Sequence, residues 1–481
     1  MKIGIDFGTS FSLPAGMING NPAVLLPGGE YGIPSVFYYD SDVGVQIGQP
    51  ALDCEEVNPA NVKREIKMEI SEHGDSFAPD GRKFTKKQIV GHLFREIARV
   101  AQDELERRQL ASQELEGAVI SVPAAFTLRE LNFIRDAAQS AGLRVLGFIR
   151  EPVAAAISYF NAPSAEDQKT ILVYDLGGGT CDVAIVRSDH NSDEWYSVIE
   201  SDMQRIGGRD WDKLLVELIK RKCREKNPRI KFDEEAEAKL RSAAVDIKHN
   251  LSKLESTLKG FMIGGKRCNC MITRADFERA TAELLQSTMT MVEKLKYRCG
   301  AKIDYIVCVG GSSNMPQVPA EFKRRYPDIP IKIFEPEKAI AFGAAIYAQH
   351  LTNEQFLQDI CKFSYGARYL ENVDSEQYKV WNMIFKDDPL PTSNESESYL
   401  VNDGDSFIYI PIFESECVDD VYDPVKGTYI GEIQMRGLAD GRRGDLVTLT
   451  MAIDTSGLMQ LKAVHVRTGK TVNVELQLKD Y

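Results

Sequence analysis

The feature that most constrains this chain is a short pattern that occurs twice. It reads IGIDFGTS at residues 3–10 and LVYDLGGGT at residues 172–180. In both copies an apolar, strand-like run is followed by an aspartate, an apolar residue, one or more glycines and a hydroxyl residue. Two such loops, one in each of two lobes, could clamp a polyphosphate from both sides.

The order of residues in this pattern suits phosphate and metal chemistry. Asp6 and Asp175 come at strand ends, where a carboxylate can hold hydrated Mg²⁺. The glycines let backbone N–H groups approach phosphate oxygens without a Cβ clash. A third loop, at residues 309–313, follows a strand and can place a phosphate or an adenosine beside the chain. Each loop alone is equally an ordinary glycine turn, but three in one chain favour a phosphate-binding site.

Composition narrows the class of protein. The 481 residues carry 58 Lys+Arg against 71 Asp+Glu, a formal net charge of −13, which argues against binding to nucleic acid or anionic membrane. No apolar run reaches the roughly 20 residues of a membrane span, and the N-terminus does not resemble a signal peptide. The nine cysteines lie mostly in apolar segments, so we expect a cytoplasmic setting without disulfides. Cys268 and Cys270 have no second Cys/His pair at a zinc spacing, and we expect no metal there.

Two regions of different periodicity follow one another. Through about residue 350, strand-like and helix-like segments alternate, which is typical of an α/β architecture. After about Asn353, short alternating strands separated by turn signals predict an all-β sandwich. We therefore expect an α/β domain at residues 1–352, a connector at 353–365 and a β domain at 366–481.

Further motifs appear in a fixed order and resemble one family. They are SVPAAF at residues 121–126, REPVAAAISY at 150–159, GGRDWD at 207–212 and EPEKAIAFGAA at 335–345. Together with the three glycine loops they resemble the heat shock protein 70 family of DnaK-like chaperones, specifically from residue 2 to about 350. The tail, with IDTSGL at residues 453–458, resembles the peptide-binding β-sandwich of that family more loosely.

The resemblance implies an architecture and an activity. The expected fold is an actin-like (ribonuclease H-like, duplicated) two-lobed ATPase domain followed by an all-β sandwich. Members of the family bind ATP or ADP with Mg²⁺ between the lobes, and K⁺ is a further candidate ion. Their nucleotide state sets the affinity of the sandwich for unfolded or apolar peptide segments, in a cytoplasmic stress response.

The resemblance also assigns roles by position. Asp6 and Asp175 would hold the hydrated Mg²⁺, while Glu151, Thr180 and Asp182 would position the attacking water. The residues that would contact phosphates or adenosine are Gly8, Thr9, Ser10, Gly177, Gly178, Gly179, Thr180, Gly207, Gly208, Lys248, Ser252, Gly310, Gly311, Ser312 and Glu337.

One departure from the family pattern concerns catalysis. The position that we align with the catalytic lysine of the family is Leu52, which can bring no charge to the γ-phosphate. Loss of such a cation lowers rates by several powers of ten in comparable reactions, so hydrolysis stays open while nucleotide binding is expected. Lys63, Arg64 or Lys67 could substitute for the missing cation.

Two further departures concern adenosine and partners. Val245 stands where the family often has a glutamate that faces adenosine, which predicts weaker ATP binding. Gly147 stands where the family has the arginine that contacts J-domain co-chaperones, so dependence on a J-domain protein is open, although Asp359 keeps an acidic position in the connector. The connector at residues 356–360 is less apolar than the family's, which predicts weaker docking, and no nucleotide exchange factor is assigned.

The β domain has a predicted peptide cleft. By position, Val380, Val401, Ile408 and Ile410 would line it. The alternating isoleucines are equally typical of a half-buried strand, so core packing is the alternative. The sequence up to Tyr481 contains no counterpart of the family's helical lid, and we expect bound peptide to exchange quickly.

Three other functions are compatible with the sequence. The first is a nucleotide sensor or scaffold whose hydrolysis is impaired at Leu52. The second is a small-molecule kinase that shares the actin-like core, and the third is an actin-like filament protein. The kinase requires a substrate pocket with its own base, for which no motif stands out. The appended β domain disfavours both the kinase and the filament protein.

Overall fold

The chain forms two compact units. The computed structural model describes residues 1–28, 32–71, 76–110, 114–163, 165–191, 195–263, 266–353, 355–372, 377–400, 402–404, 406–438, 441–454 and 458–475. The first unit comprises Met1–Ala124, Ile134–Asp189 and Ile199–His350, and the second comprises Ala125–Phe133, His190–Val198 and Leu351–Tyr481. Two short segments from the α/β region thus belong to the second unit, which a linear boundary does not anticipate. The finer division at residues 352 and 365 stays a prediction.

The first 350 residues alternate strands and helices, as expected. The strands are β1 (Lys2–Phe7), β2 (Phe11–Ile18), β3 (Asn21–Val24), β4 (Ile33–Pro34), β5 (Phe37–Asp40), β6 (Gly44–Ile47), β7 (Val62–Lys63), β8 (Ser76–Phe77), β9 (Phe84–Thr85), β10 (Gly117–Val122), β11 (Val145–Arg150), β12 (Thr170–Leu176), β13 (Cys181–Ser188), β14 (Tyr196–Gln204), β15 (Ser256–Ile263), β16 (Lys266–Thr273), β17 (Tyr305–Val309) and β18 (Ile331–Ile333). The helices are α1 (Gln49–Asp53), α2 (Lys86–Arg107), α3 (Leu128–Ser140), α4 (Glu151–Phe160), α5 (Gly208–Lys226), α6 (Glu234–Lys253), α7 (Arg274–Cys299), α8 (Gln317–Arg325) and α9 (Ala339–Gln349).

Two sheets of the first unit contain the two copies of the repeated pattern. One sheet has the order β11-β10-β1-β2-β3, with β1 parallel to β10 and antiparallel to β2. The other includes the order β18-β17-β12-β13-β14, with β12 parallel to β17 and antiparallel to β13. The strands that carry Asp6 and Asp175 are β1 and β12. Each therefore has a parallel neighbour on one side and an antiparallel hairpin partner on the other. The two aspartates lie at equivalent strand ends.

Two apolar helices pack closely in the first unit. All ten residues of α4 are buried, and α9 is buried along most of its length, as expected for helices that are apolar on every face. A Cβ on Gly343 of α9 would lie 1.7 Å from the carbonyl oxygen of Ala154 in α4. A Cβ on Gly4 of β1 would lie 2.2 Å from the backbone nitrogen of Ala345. These glycines allow the backbones of α9, α4 and β1 to approach directly.

The second unit is built mainly from antiparallel strands. They are β19 (Leu357–Ile360), β20 (Ser364–Asn372), β21 (Gln377–Ile384), β22 (Pro389–Leu390), β23 (Thr392–Tyr399), β24 (Phe407–Ser415), β25 (Val421–Tyr422), β26 (Thr428–Arg436), β27 (Leu446–Ile453), β28 (Met459–His465) and β29 (Lys470–Glu475). One sheet has the order β25-β21-β20-β24-β26 and another has the order β23-β27-β28-β29. Buried and partly exposed residues alternate along β27, as expected for strands with one face in a core.

The predicted connector contains a strand. Within the second unit, β19 pairs in parallel with residues 196–197 and antiparallel with β22. The Phe356 ring just before β19 is buried, and its centroid lies 5.2 Å from that of Tyr196 and 5.9 Å from that of Trp195. Backbone pairing therefore orders this segment even though its sequence is less apolar than that of the family.

Glu414 is a buried carboxyl group in the second unit. It accepts a hydrogen bond from the backbone N–H of Leu128 at 3.2 Å. Burial raises the pKa of Glu414 to about 7, with a smaller contribution from the Glu130 carboxylate, against hydrogen bonds from Leu128 and Tyr365. The folded state therefore holds a proton on Glu414 at pH values where the unfolded chain has lost it.

We expect the stability of the second unit to fall as the pH rises through this range. The ordinary pKa of glutamate is 4.5, so this group destabilises the fold progressively between about pH 4.5 and 7, by a total on the order of 3 kcal/mol. In Glu414→Gln this contribution is absent. Urea unfolding at several pH values should show the variant gaining stability relative to wild type from pH 4 to pH 8; a constant difference would contradict the assignment.

Among the described residues, no helix combines the length and the hydropathy that a membrane span requires.

Candidate functional site

Four acidic side chains meet at strand ends of the first unit. Asp6 and Asp175 are the penultimate residues of β1 and β12, Asp182 is the second residue of β13, and Glu151 begins α4. Because β12 and β13 are antiparallel, Asp175 and Asp182 stand opposite each other. Carboxylate oxygens of Glu151, Asp175 and Asp182 lie within 4.8 Å of one another, and all three side chains are buried. The sequence-predicted metal ligands and water-positioning residues thus form one cluster.

Burial and, to a lesser degree, crowding raise the pKa of three of these carboxyl groups. Burial, followed by repulsion from Glu151, raises the pKa of Asp6 to about 7 and that of Asp182 also to about 7. The same two causes raise the pKa of Asp175 well above its ordinary value, with further contributions from Asp182 and Asp6. In all three cases the nearby Lys67 ammonium opposes the shift. A cluster of this kind favours a bound cation, because a cation stabilises the ionised carboxylates.

Lys67 supplies a positive charge within the cluster. It lies in a 3₁₀ turn (Ile66–Glu69), is 3% exposed, and forms an ion pair with the Glu151 carboxylate. Its Nζ lies 5.7 Å from the ring centroid of Phe7 at the end of β1. Lysine is almost never fully buried unless it is paired with an acidic group. Burial of the Lys67 ammonium therefore carries a desolvation cost.

The structure distinguishes among the three candidate substitutes for the missing cation. Lys63 pairs with Glu69 at 2.6 Å and Arg64 pairs with Glu55 at 2.9 Å, so each has a separate carboxylate partner. Of the three, Lys67 is the one that pairs with Glu151.

The expectation that Leu52 leaves the site without a cation is therefore corrected. Leu52 packs against Val36, Tyr38 and Ala51 at the wall of the cleft, so its role in this structure is apolar packing. The charge comes instead from Lys67, 15 positions later in the sequence. The ammonium beside the carboxylates thus does not come from the position that spacing after residue 48 indicates.

The two copies of the repeated pattern meet at their glycine loops. A Cβ on Gly178 would lie 2.3 Å from Ser10 Oγ, and a Cβ on Gly179 would lie 2.7 Å from Thr9 Oγ1. A Cβ on Gly207, at the start of α5, would lie 2.4 Å from the backbone nitrogen of Gly179. Only residues without side chains fit at these contacts, which lets the backbones of the two loops approach closely.

The third glycine loop joins the same region. Gly310 has φ = 78° and no room for a side chain, since its Cβ would lie 2.4 Å from Asp175 Oδ1. Ser312 Oγ donates to the carbonyl oxygen of Gly177 at 3.0 Å, and a Cβ on Gly208 would lie 2.3 Å from that hydroxyl. The three loops predicted from the sequence are thus neighbours in space.

A lysine from α6 borders these loops. Lys248 Nζ donates to Asp212 Oδ2 at 2.8 Å and to the carbonyl oxygen of Gly208 at 3.3 Å. Ser252 Oγ donates to the carbonyl oxygen of Lys248, one helical turn earlier, and Val245 lines the cleft from the same helix. The buried ion pair with Asp212 holds the Lys248 stem against the loop that begins α5.

These groups surround one cleft of about 2020 Å³. That volume exceeds the roughly 300–1,000 Å³ of a typical small-molecule pocket, so a nucleotide fits. The predicted residues that line it are Asp6, Gly8, Thr9, Ser10, Glu151, Asp175, Gly177, Gly178, Thr180, Lys248, Ser252, Gly310, Gly311, Ser312 and Glu337. The predicted residues that pack in its loops and strands without lining it are Gly179, Asp182, Gly207 and Gly208.

Three supporting residues were not singled out from the sequence. Ser121 Oγ donates to Asp6 Oδ1 at 3.2 Å, and the backbone N–H of Ala124 donates to Asp182 Oδ1 at 2.6 Å. Both belong to the SVPAAF motif, which carried the resemblance but no assigned role. Asp212, the partner of Lys248, lies likewise in the GGRDWD motif. Motif position was the available signal for all three, but their partners are distant in sequence.

The residues present fit a divalent cation and a polyphosphate. Within the described part of the chain, Asp175 Oδ1 and Asp182 Oδ2 are buried without a hydrogen-bond partner. Buried carboxylate oxygens of this kind are costly unless a cation or water satisfies them. Hard oxygen donors suit Mg²⁺, and the glycine loops beside them suit phosphate oxygens.

The predicted peptide residues lie in the second unit. Val380 is fully buried in a cluster with Phe413 and Tyr422, and Ile408 and Ile410 are 8% and 9% exposed on β24. Their burial is what the alternative of core packing predicts. Val401 lies outside the described residues, and peptide contact at all four positions stays a prediction.

Comparison with protein families gives one match across nearly the whole chain. The family model described as Hsp70 protein matches residues 2–480. The match includes the tail, where the sequence motifs were weakest.

Proposed function

Because the chain belongs to the Hsp70 family, we propose that its first unit binds ATP and ADP with Mg²⁺ and hydrolyses ATP. Members of this family are ATP-binding chaperones. The observation that carries the proposal is the convergence of three glycine loops on a buried cluster of four carboxylates and one ammonium.

The carboxylates and the loops divide the work of binding. Asp6 and Asp175 hold the hydrated Mg²⁺, which neutralises charge on the phosphates when bound. The backbone N–H groups of the glycine loops, with the hydroxyls of Thr9, Ser10 and Thr180, donate to the phosphate oxygens. Thr9 and Ser10 belong to the first glycine loop and Thr180 to the second, and all three line the cleft. This arrangement supports a clamp on the polyphosphate. K⁺ is a second candidate ion for the same oxygen donors.

Four side chains are suited to hydrolysis. Glu151 and Asp182, with Thr180, orient the attacking water, and a carboxylate with a raised pKa can also accept its proton. Lys67 stabilises negative charge that develops on the transferred phosphoryl group. Phosphoryl transfer depends mainly on positioning and charge neutralisation, so a preorganised ammonium beside the carboxylates favours turnover.

Adenosine binding is assigned to the other side of the cleft. Lys248 and Ser252 on α6, with Gly311, Ser312 and Glu337, border it. Val245 offers an apolar surface on the same helix in place of a hydrogen-bonding acid. We therefore expect ATP to bind with fewer polar contacts to its base or ribose than in relatives with a glutamate there.

We further propose that nucleotide state controls peptide binding in the second unit. The arrangement proposed is an actin-like duplicated two-lobed domain followed by a β-sandwich with Val380, Val401, Ile408 and Ile410 near the peptide. The equivalent topology around β1 and β12 and the two antiparallel sheets of the second unit support it. The clients would be unfolded or apolar peptide segments; a J-domain co-chaperone stays open because of Gly147.

The presence of Lys67 bears on the choice between functions. Leu52 favours a nucleotide sensor without hydrolysis, because it has no charge at the position aligned with the catalytic lysine of the family. The buried Lys67–Glu151 pair, however, places a positive charge beside the carboxylates. An ATPase is therefore favoured over a sensor or scaffold.

A single-turnover ATPase assay with and without an apolar peptide tests the proposal. We expect slow hydrolysis of bound ATP that peptide accelerates. Tight ATP binding without turnover would point to a sensor, and turnover only on adding a small metabolite would point to a kinase. In either case the proposed coupling would be rejected.

A further inference from the structure

Three cysteine thiols from two elements of the first unit meet outside the cleft. Cys223 lies on α5, and Cys268 and Cys270 lie two residues apart on β16, hence on one face of that strand. Their Sγ atoms are separated by 2.6 Å (Cys268–Cys223), 3.3 Å (Cys223–Cys270) and 3.7 Å (Cys268–Cys270). None of the three lines the nucleotide cleft. Spacing along the chain hides this cluster, because 45 residues separate Cys223 from Cys268.

The sulfurs lie among apolar side chains, and Cys270 Sγ also lies 4.0 Å from the carbonyl oxygen of Ile219. All three thiols are free and at most 5% exposed, within the large apolar core of the first unit. A lone buried cysteine acts as a small apolar side chain. Three converging sulfurs differ from that case, because together they present a concentrated soft donor set to anything that enters between them.

We propose that Cys223, Cys268 and Cys270 bind a single Cu(I) ion. Thiolate sulfur selects soft ions such as Cu(I), whereas structural zinc sites take four protein ligands. Among the described residues, the cluster contains three donors and no fourth His, Cys, Asp or Glu. A three-coordinate d¹⁰ ion therefore matches the donor count, and Zn²⁺ would lack a ligand in this apolar setting.

Binding is an exchange of protons for metal. As each S–Cu bond forms, the corresponding S–H bond breaks and its proton passes to solvent, and no electron is transferred. Burial, with the neighbouring thiols, raises the pKa of Cys223 above its ordinary range, so this thiol is protonated at neutral pH without metal. The apparent affinity should therefore increase with pH.

The strand segment that carries two of the three sulfurs borders the surface. Asn269, between the two cysteines of β16, is exposed, and its carbonyl oxygen accepts a hydrogen bond from Lys226 Nζ at 2.6 Å. The Lys226 ammonium opposes the raised pKa of Cys270 and would offset part of the negative charge of a copper–thiolate centre. Two of the proposed ligands thus flank an exposed residue whose backbone binds a cationic side chain.

The test is an anaerobic titration of the reduced full-length chain with Cu(I) in competition with bicinchoninate. We expect one tightly bound copper per chain. Cys223→Ala and Cys268→Ala should weaken it by more than the roughly 100-fold that loss of a second-shell partner costs. Cys308→Ala is the matched control, because Cys308 is a buried thiol of the same core on β17 and outside the cluster; it should bind copper as the wild type does.

X-ray absorption of the copper-loaded wild type supplies a readout that does not depend on the variants. Three sulfur neighbours around copper are expected. Equal copper affinity in wild type and Cys268→Ala, nitrogen or oxygen ligands at the copper, stoichiometric binding of Zn²⁺ but not Cu(I), or a Cys223–Cys268 disulfide in place of metal would each overturn the proposal.

Discussion

Replacing Lys67 by methionine is expected to lower the single-turnover rate of ATP hydrolysis by about 10²–10³-fold, the usual cost of removing one preorganised group that stabilises developing charge. Methionine keeps most of the apolar stem against Phe7 and removes only the ammonium. Binding of MgADP should change far less, since the glycine loops and the aspartates remain. The measurement is a single-turnover assay at saturating enzyme, alongside calorimetric titration with MgADP.

Lys63→Met is the matched control for this substitution. Lys63 lies four residues earlier, pairs with Glu69 rather than with the site carboxylates, and does not line the cleft. Its variant should hydrolyse ATP at nearly the wild-type rate. If Lys67→Met retains full activity, or if both lysine variants lose the same activity, the charge at Lys67 has no specific catalytic role.

Gly343→Ala is expected to destabilise the first unit by about 3 kcal/mol or more. The new methyl group would lie 1.7 Å from the Ala154 carbonyl oxygen, a backbone atom that cannot rotate away. Helix propensity favours alanine over glycine by only about 1 kcal/mol, and overpacking of a dense core typically costs about 1–3 kcal/mol. The clash therefore outweighs the propensity gain, and α9 must separate from α4.

Urea unfolding of the nucleotide-free chain, followed by hydrogen exchange in the α4 and α9 peptides, measures this effect. Gly311→Ala is the matched glycine-to-alanine control for stability, because no heavy atom of its described neighbours lies within 4 Å of the added carbon. It should change the free energy of unfolding by less than about 0.5 kcal/mol. Equal stability of Gly343→Ala and wild type would show that the two helices can move apart without cost.

The sequence predicted much of the first unit for identifiable physical reasons. The strand before Asp6 and the strand before Asp175 are short apolar runs that end at carboxylates, and each forms as expected. Because β12 and β17 are parallel neighbours, the loops that follow them lie together. The first loop follows a strand of another sheet, so its contact with the second does not follow from strand pairing. Periodicity along the chain does not predict contacts between residues that are distant in the sequence, such as the hydrogen bond from Ser121 to Asp6.

The position of the buried ammonium shows this limit most clearly. Leu52 lies in the five-residue helix α1 and Lys67 lies in a 3₁₀ turn, and neither element is long enough for a sequence period to fix which side chain faces the cleft. Counting positions after a glycine therefore does not predict which side chain lies beside Glu151. In the structure, the 3₁₀ turn that contains Lys67 places its ammonium against Glu151 at the start of α4.

The cysteine cluster and the connector escaped prediction for a related reason. Cys223 joins the β16 pair only because α5 packs on that strand, which sequence spacing does not reveal. The connector was expected as a linker because it falls between two regions of different periodicity, yet β19 is ordered by backbone pairing with residues 196–197. Backbone hydrogen bonds do not depend on side-chain type, so composition is a poor guide to them.

Calorimetric titration of the full chain with ATP and ADP, with and without Mg²⁺, tests the central claim most directly. We expect one nucleotide site per chain, with an affinity that increases when Mg²⁺ is present. The affinity should decrease in Asp175→Asn, because Asp175 is both a proposed metal ligand and a buried acid with an unsatisfied oxygen. Failure to detect either nucleotide in the presence of Mg²⁺ would contradict it.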